Sequence, residues 1–377
     1  MRVAIATESF LPQVNGVTNS VRRVAEHLRD NGHDAIIIAP SDENVPSSYA
    51  GFPVTTLPSV ALPMYQDVRM ALTPSFVLDK ILADFAPDVL HAAAPFLVGS
   101  AALVAAAHFS IPSVAVYQTD VPSYAARYGL GLLETAAWNR VRDIHLLANL
   151  TLAPSSPARD QLVAHGIPRV KIWGRGVDTE RFAPSHRDEA LHDSWAPAGE
   201  VVIGYMGRLA PEKQVADLVH CADIAGTRLV IVGDGPSRKT LGAALPTAHF
   251  LGRLGGDELA RVTATIDVFV HPGELETFGQ AIQEALASGV PVIAPAKGGP
   301  QDLIKSGRWG FLYPPGDLAL MRALVEQLVA DTARRLEMSL AAREFTSSRT
   351  WPVICAQLLD YYREVIAMTA AAVPDLR

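Results

Sequence analysis

Two glutamates, Glu276 and Glu284, flank seven residues in the run HPGELETFGQAIQEALASGVPVIAPAKGG, residues 271–299. Ionised carboxylates only accept hydrogen bonds, so a pair of them suits a ligand that offers hydroxyl groups. Phe278-Gly279 lies between them where a helical pattern begins, placing Glu276 in the loop and Glu284 about one and a half turns inside. Backbone amides at such a helix start bind phosphate or hydroxyl oxygens. An acid in a first helical turn is common on its own, but that reading does not cover the whole Glu, Phe-Gly, Glu set after an apolar strand. A second constellation is GRLAPEK, residues 207–213. Arg208 can fork onto two phosphate oxygens, and Lys213 supplies a mobile point charge. The bland alternative is a solvated loop in which a cation pairs with Glu212. A third is Asn15-Gly16-Val17 at the opening of the first helix, where a glycine lets amides approach an anion or simply makes a tight turn.

Other chemistries are excluded by what these loops lack. The first loop has no GxGxxG and the chain no GxxxxGK[ST], which argues against dinucleotide and P-loop sites. No two aspartates lie two apart and no two histidines four apart, so neither a DxD nor an HxxxH metal pair exists. The two cysteines, Cys221 and Cys355, are too few for a disulfide framework or a cysteine metal site. Neither cofactor nor metal ion is expected. A net charge of −7, almost all of it beyond residue 177, argues against nucleic acid as a partner.

The elements that must position these loops are legible. The 377 residues imply two domains, and 49% apolar against 19% charged residues describe a packed globular chain. Short apolar runs without alternation recur: Val3–Ala6, Ala35–Ala39, Val89–His91, Val114–Tyr117, Leu150–Ala153, then Val201–Tyr205, Arg228–Val232, His249–Gly252, Val268–His271 and Val290–Ala294. Such runs suit strands buried on both faces of parallel sheets. Helical patterns at Val17–Asn31, Glu134–Leu147, Gln214–Ala225 and Gln280–Ser288 alternate with them. The expected fold class is α/β, with two Rossmann-like doubly wound domains. Ligands of such sheets bind beyond the carboxyl ends of the strands. Residues 89–119 carry no Asp, Glu, Lys or Arg, but a buried helix Phe96–His108 followed by a strand Ser113–Val116 explains them better than a membrane span.

Taken together, the motifs resemble the retaining nucleotide-sugar glycosyltransferases of glycosyltransferase family 4, with the GT-B architecture. The resemblance runs through the Asn15-Gly16-Val17 loop, GVDTERF (176–182), GRLAPEK, VGDGP (232–236), the paired-glutamate helix and GGPQDLI (298–304). SFLPQVNGV and VYQTDVP draw it closest to actinobacterial enzymes that use GDP-mannose to mannosylate glycolipids. It implies two domains facing each other across a cleft, residues 1–177 for the acceptor and 178–350 for the donor, with residues 351–377 returning to the first. It further implies that Arg208 and Lys213 hold the donor diphosphate, near Asn15, Gly16 and Gly207. Glu276 takes sugar hydroxyls beside Thr277, Phe278 and Gly279, Glu284 takes the ribose, and Gly252, Arg253 and Leu254 meet the base. Many relatives have a histidine where this chain has Gln118, which cannot move a proton. Asp120 is then the nearest ionisable group, and both are retained as catalytic candidates.

A phosphate oxygen of the leaving group is expected to take the acceptor's proton, with no metal ion. The competing readings are a UDP-sugar enzyme, a sugar-nucleotide epimerase and a non-catalytic nucleotide-sugar binder. On the acceptor side, Tyr65, Arg69, His91, Tyr124 and Arg127 are the candidates. Apolar residues around Val60–Tyr65, and Tyr124–Trp138 interleaved with Arg127, Arg140 and Arg142, suggest peripheral contact with an anionic membrane. The expected location is cytoplasmic, at the inner face of the plasma membrane.

Overall fold

A computed structural model describes residues 1–13, 15–62, 65–118, 120 and 134–372. The chain forms two compact units, Met1–Arg175 with Pro352–Arg377, and Gly176–Trp351. The second begins at Gly176 because the Val177 amide donates to the Arg349 carbonyl (2.9 Å) and pairs with Thr350.

In the first unit, strands β1 (Arg2–Thr7), β2 (Asp34–Pro40), β3 (Ser48–Tyr49) and β4 (Phe52–Leu57) precede a separate hairpin of β5 (Val60–Leu62) and β6 (Tyr65–Met70). They are followed by β7 (Val89–Ala93), β8 (Ser113–Val116), β9 (Leu150–Ala153) and β10 (Val170–Ile172). The sheet order is β10-β9-β8-β7-β1-β2-β4-β3, parallel throughout except for the short β3 edge. The second unit has β11 (Val201–Met206), β12 (Thr227–Val232), β13 (His249–Gly252), β14 (Val268–Val270), β15 (Val292–Pro295) and β16 (Gly310–Tyr313). They lie in the order β13-β12-β11-β14-β15-β16, all parallel. Both units have the doubly wound order, in which the direction of winding reverses beside the first strand.

The missing alternation in these strands has a direct cause. Val202, Val230, Phe269 and Val292 pack on one face of the second sheet, while Ile203, Ile231, Val268 and Ile293 pack on the other. With both faces covered, successive side chains must all be apolar. Asn15 opens the helix Gly16–Asp30, its side-chain oxygen accepting the Val17 and Thr18 amides at 3.0 Å.

Two elements depart from the sequence reading. The expected helix Gln214–Ala225 is a 3₁₀ segment, Val215–Cys221, because Gln214 turns left-handed (φ 49°) and its side chain takes the Glu274 amide at 3.1 Å. The helix expected from Phe96 begins at Val98, because the Glu8 carboxylate claims the Phe96 and Leu97 amides.

The helix Trp351–Ala372 packs within the first unit. Trp173 Nε1 donates to the Ile354 carbonyl (2.9 Å), the Tyr361 hydroxyl to the Ile172 carbonyl (2.9 Å), and Lys171 pairs with Glu364.

Candidate active site

The winding of the second unit reverses between β11 and β14, so the loops after these two strands meet at one place. After β11 the chain runs through Gly207, Arg208 and Leu209 and makes a 3₁₀ turn at Pro211–Lys213. The loop after β12 supports it: Leu209 and Asp234 share a backbone bond of 2.9 Å, and Ser237 donates to the Leu209 carbonyl at 2.9 Å. The loops approach so closely that a Cβ on Gly233 (φ 133°) would stand 1.9 Å from the Gly207 carbonyl oxygen. VGDGP is thus a packing device that fixes the Arg208 loop. The Tyr205 hydroxyl donates to the Arg208 carbonyl (3.2 Å), leaving the Arg208 side chain at the surface.

After β14 comes the loop from His271 to Gly279, then the helix Gln280–Ala287. The Glu276 carbonyl takes the Gly299 amide at 2.8 Å, and a Cβ on Gly298 or Gly299 would stand 2.3 or 2.1 Å from the Glu276 or Phe278 carbonyl oxygen. The glycine pair of GGPQDLI therefore clamps the loop that carries Glu276.

Glu276 meets Lys213 here. Lys213 Nζ lies 2.5 Å from Glu276 Oε1, and His271 Nε2 lies 3.1 Å from the same oxygen. Burial alone would raise the Glu276 carboxyl, but the Lys213 ammonium and His271 outweigh it and hold it well below the usual carboxylate range. Among the described residues, Oε2 has no hydrogen-bond partner, although the side chain is only 15% exposed. The site thus holds an ionised carboxylate with a spare acceptor beside a cation loop.

Glu284 sits on the following helix and accepts from Gln280 Nε2 at 3.2 Å. Gly252 ends β13, its carbonyl taking the Gly233 amide (2.7 Å); Arg253 is exposed and Leu254 half-buried against the core.

In the first unit the winding reverses between β1 and β7. Glu8 Oε1 accepts the amides of Phe96 (2.9 Å), Leu97 (2.7 Å) and Gly99 (3.0 Å) and closes the helix start after β7. The Arg175 guanidinium donates to the Gly16 carbonyl and to Gln118 Oε1, both at 2.8 Å. A Cβ on Gly16 would lie 2.5 Å from that guanidinium, so this glycine answers to Arg175 as well as to the turn. Gln118 is buried and Asp120 half-buried.

The acceptor-side expectations need correction. His91 is 1% exposed in β7, bonded through Nδ1 to the Tyr362 hydroxyl (2.7 Å), and burial lowers its pKa to about 3. It is a core histidine and faces no ligand. Arg69 pairs with Asp42 at 2.7 Å, so its charge is already answered. Trp138 is 6% exposed and stacked on His165 at 3.7 Å, so it packs inward. Arg140 reaches Ser100 Oγ at 3.0 Å, and Arg142 lies beside Asp143. Tyr124 and Arg127 lie outside the described residues, as does the side chain of Tyr65.

Three residues that carry the geometry were not singled out from sequence: His271, Arg175 and Glu8. His271 directly follows an apolar strand, which was the available signal; nothing local marks the other two.

A doubly wound pair with an open carboxylate and a cation loop at a reversal point defines a class of enzymes that handle nucleotide-linked groups. Comparison with known proteins gives the family. Residues 14–181 match the Glycosyltransferase Family 4 model and residues 187–345 the Glycosyl transferases group 1 model. The chain is 48% identical over 369 residues to a GDP-mannose-dependent alpha-mannosyltransferase of Mycobacterium tuberculosis, covering 97% of each. It is 46% identical to the protein of the same description from Corynebacterium glutamicum, over 98% of this chain and 90% of that one. The crystal structure of Anabaena Alr3699/HepE in complex with UDP is similar in fold at 19% identity, with a TM-score of 0.79 over 97% of this chain and 100% of that one. The chain belongs to glycosyltransferase family 4 and is a glycosyltransferase with the GT-B fold.

Proposed function

We propose that this enzyme transfers mannose from GDP-mannose, with retention and without a metal ion, to a hydroxyl of a glycolipid. The donor identity is supported by the near-full-length likeness to proteins described as GDP-mannose-dependent alpha-mannosyltransferases. The observation that carries the site is the Glu276 carboxylate, held at Oε1 by Lys213 and open at Oε2. Oε2 accepts hydroxyls of the transferred sugar, with Thr277, Phe278 and Gly279 beside it. Arg208 and Lys213 take the growing charge of the departing diphosphate, a task that elsewhere falls to a metal ion. Glu284 accepts from the ribose hydroxyls, and Gly252, Arg253 and Leu254 meet the base. Gly207 completes the donor surroundings within the second unit.

In the transfer, the bond from the sugar's anomeric carbon to the phosphate oxygen breaks. A bond to the acceptor oxygen forms on the same face, and the acceptor's proton goes to an oxygen of the leaving diphosphate. No side chain need take that proton, which suits a glutamine at position 118; Asp120 stands nearest among ionisable groups in that loop. Calorimetry against GDP-, UDP- and ADP-sugars tests the donor. Release of GDP only when acceptor is present marks a transferase; binding without release marks a sensor.

For the acceptor side, the first unit exposes Val60 (60%), Leu72 (75%) and Phe76 (67%) along the β5–β6 hairpin and the helix after it. Among the described residues no helix is long and apolar enough to cross a membrane. These side chains dip into the headgroup region of an anionic membrane, while Arg127 meets lipid charge. Wild type is expected to sediment with anionic vesicles at low salt, and Leu72→Ser/Phe76→Ser or Arg127→Ala more weakly. No sedimentation, with efficient transfer to water-soluble sugars, overturns the lipid acceptor and leaves the donor site standing.

A further inference from the structure

Lys213 has two tasks in the proposed reaction: it holds Glu276 before the donor arrives and meets the diphosphate afterwards. When its ammonium turns towards phosphate, its hold on Glu276 Oε1 weakens, and the only other group on that oxygen among the described residues is His271 Nε2, at 3.1 Å. His271 is well placed to stay. Its amide donates to the Ile293 carbonyl (2.9 Å), which ties it to the edge of β15. Its ring is 3% exposed and stacks with Tyr205 and Phe269 at centroid distances of 6.1 and 6.3 Å. A Cβ on Gly273 would stand 3.2 Å from Nε2, so the glycine leaves the ring its space. An ionised carboxylate only accepts, so the ring nitrogen facing Oε1 is the one that carries the proton. Both ring nitrogens are buried without a well-aligned hydrogen bond among the described residues, Nε2 lying 3.1 Å from Oε1 and Nδ1 facing no polar partner. A buried ring nitrogen without a partner is costly in a purely structural histidine. Here the ring is kept with Nε2 within reach of the Glu276 carboxylate.

We propose that His271 is a positioning residue for sugar recognition. It pins Oε1 of Glu276 so that Oε2 stays presented to the sugar's hydroxyls while Lys213 serves the diphosphate. This rests on the role given to Glu276 above. It predicts a split between the two parts of the donor. His271→Phe keeps an aromatic ring between Tyr205 and Phe269 and loses the donor. His271→Gln keeps a donor and loses the ring.

The test measures Kd for GDP and for GDP-mannose, and kcat/KM, in wild type and both variants, with thermal unfolding as the fold control. His271→Phe is expected to bind GDP within about twofold of wild type, to lose roughly tenfold in affinity for GDP-mannose, and to lose about ten- to a hundredfold in kcat/KM. His271→Gln is expected to recover part of both losses. If His271→Phe fails to fold, the same ratio is read from His271→Gln and His271→Asn. Equal weakening of GDP and GDP-mannose, or an unchanged ratio, overturns the assignment while leaving the donor identity intact. A wild type that prefers another nucleotide sugar overturns GDP-mannose alone, and the ratio is then read with that donor. A wild type that binds none of the panel overturns both.

Discussion

Between β1 and β7 the first unit holds a carboxylate by backbone: Glu8 Oε1 accepts three amides at the start of a helix. Between β11 and β14 the second unit holds one by side chains. Glu276 gathers Lys213 and His271 on Oε1 and leaves Oε2 open. The units share a winding order, yet one carboxylate is held by neutral amides and the other, the one proposed to meet the sugar, beside a lysine ammonium. Topology marks where a site can lie, and the charge of the groups that hold the carboxylate tells the two places apart. The histidines divide the same way. His91 and His145 are sealed in the first unit's interior, whereas His271 is buried against an ion pair.

The largest test of this contrast is removal of the ion pair. Glu276→Ala and Lys213→Ala should each lower transfer at least a hundredfold, roughly 3–4 kcal/mol, with unfolding transitions near wild type. Normal rates in either would break the contrast. In Lys213→Ala burial is opposed by His271 alone, so the acid limb of the pH–rate profile should move to higher pH.

Acid should next separate the units. Burial lowers His91 to about 3 and His145 to about 4, from an ordinary 6.5. The unfolded chain therefore takes up protons below pH 6.5 that the folded chain refuses. Stability is complete above that pH and falls as the pH drops towards the folded values. By pH 5 the loss is roughly 2 kcal/mol per histidine. Urea titrations from pH 7.5 to 5 should show it, while binding of the sugar part of GDP-mannose by the folded fraction persists, because Glu276 stays ionised. A flat stability profile would place these histidines outside the sealed interior.

Glu8→Ala should cost about 1–2 kcal/mol of stability through the orphaned amides and change turnover less than threefold. A large loss of activity in a folded protein would make the two crevices alike. Glu284→Gln should weaken GDP and GDP-mannose together, by about tenfold, or roughly 1.4 kcal/mol. A selective loss for GDP-mannose would reassign Glu284 to the sugar. EDTA should change nothing, and a loss restored by Mg²⁺ would end the metal-free reading.

The doubly wound strands were legible because a strand covered on both faces has no polar alternation to disguise it, as in Ile36–Ala39 or Val290–Ala294. Glu276 and Lys213 were legible as types at strand ends, but their 2.5 Å contact joins residues 63 positions apart and has no local sign. Short or half-exposed elements such as the β5–β6 hairpin escaped because their pattern is too brief to show a period. Gln214 misled for a different reason. Its helical neighbours were real, and a side-chain bond to the Glu274 amide turned the backbone left-handed. Arg175 was hidden because nothing near it in the chain foretells Gly16 or Gln118.

The helix Trp351–Ala372 has a consequence for synthesis. The strands of the first sheet have all left the ribosome once Ile172 emerges, but the helix that supplies Tyr362 to His91 and the Ile354 carbonyl to Trp173 comes last. At ~5–20 residues per second, translating the intervening unit takes on the order of ten seconds or more. During that interval the first unit waits with an uncovered flank, while the second, unbroken in sequence, gains its last strand at Gly310–Tyr313 before the helix is made. The nascent chain is completed from its middle outwards, and shortening its tail injures the half that was made first.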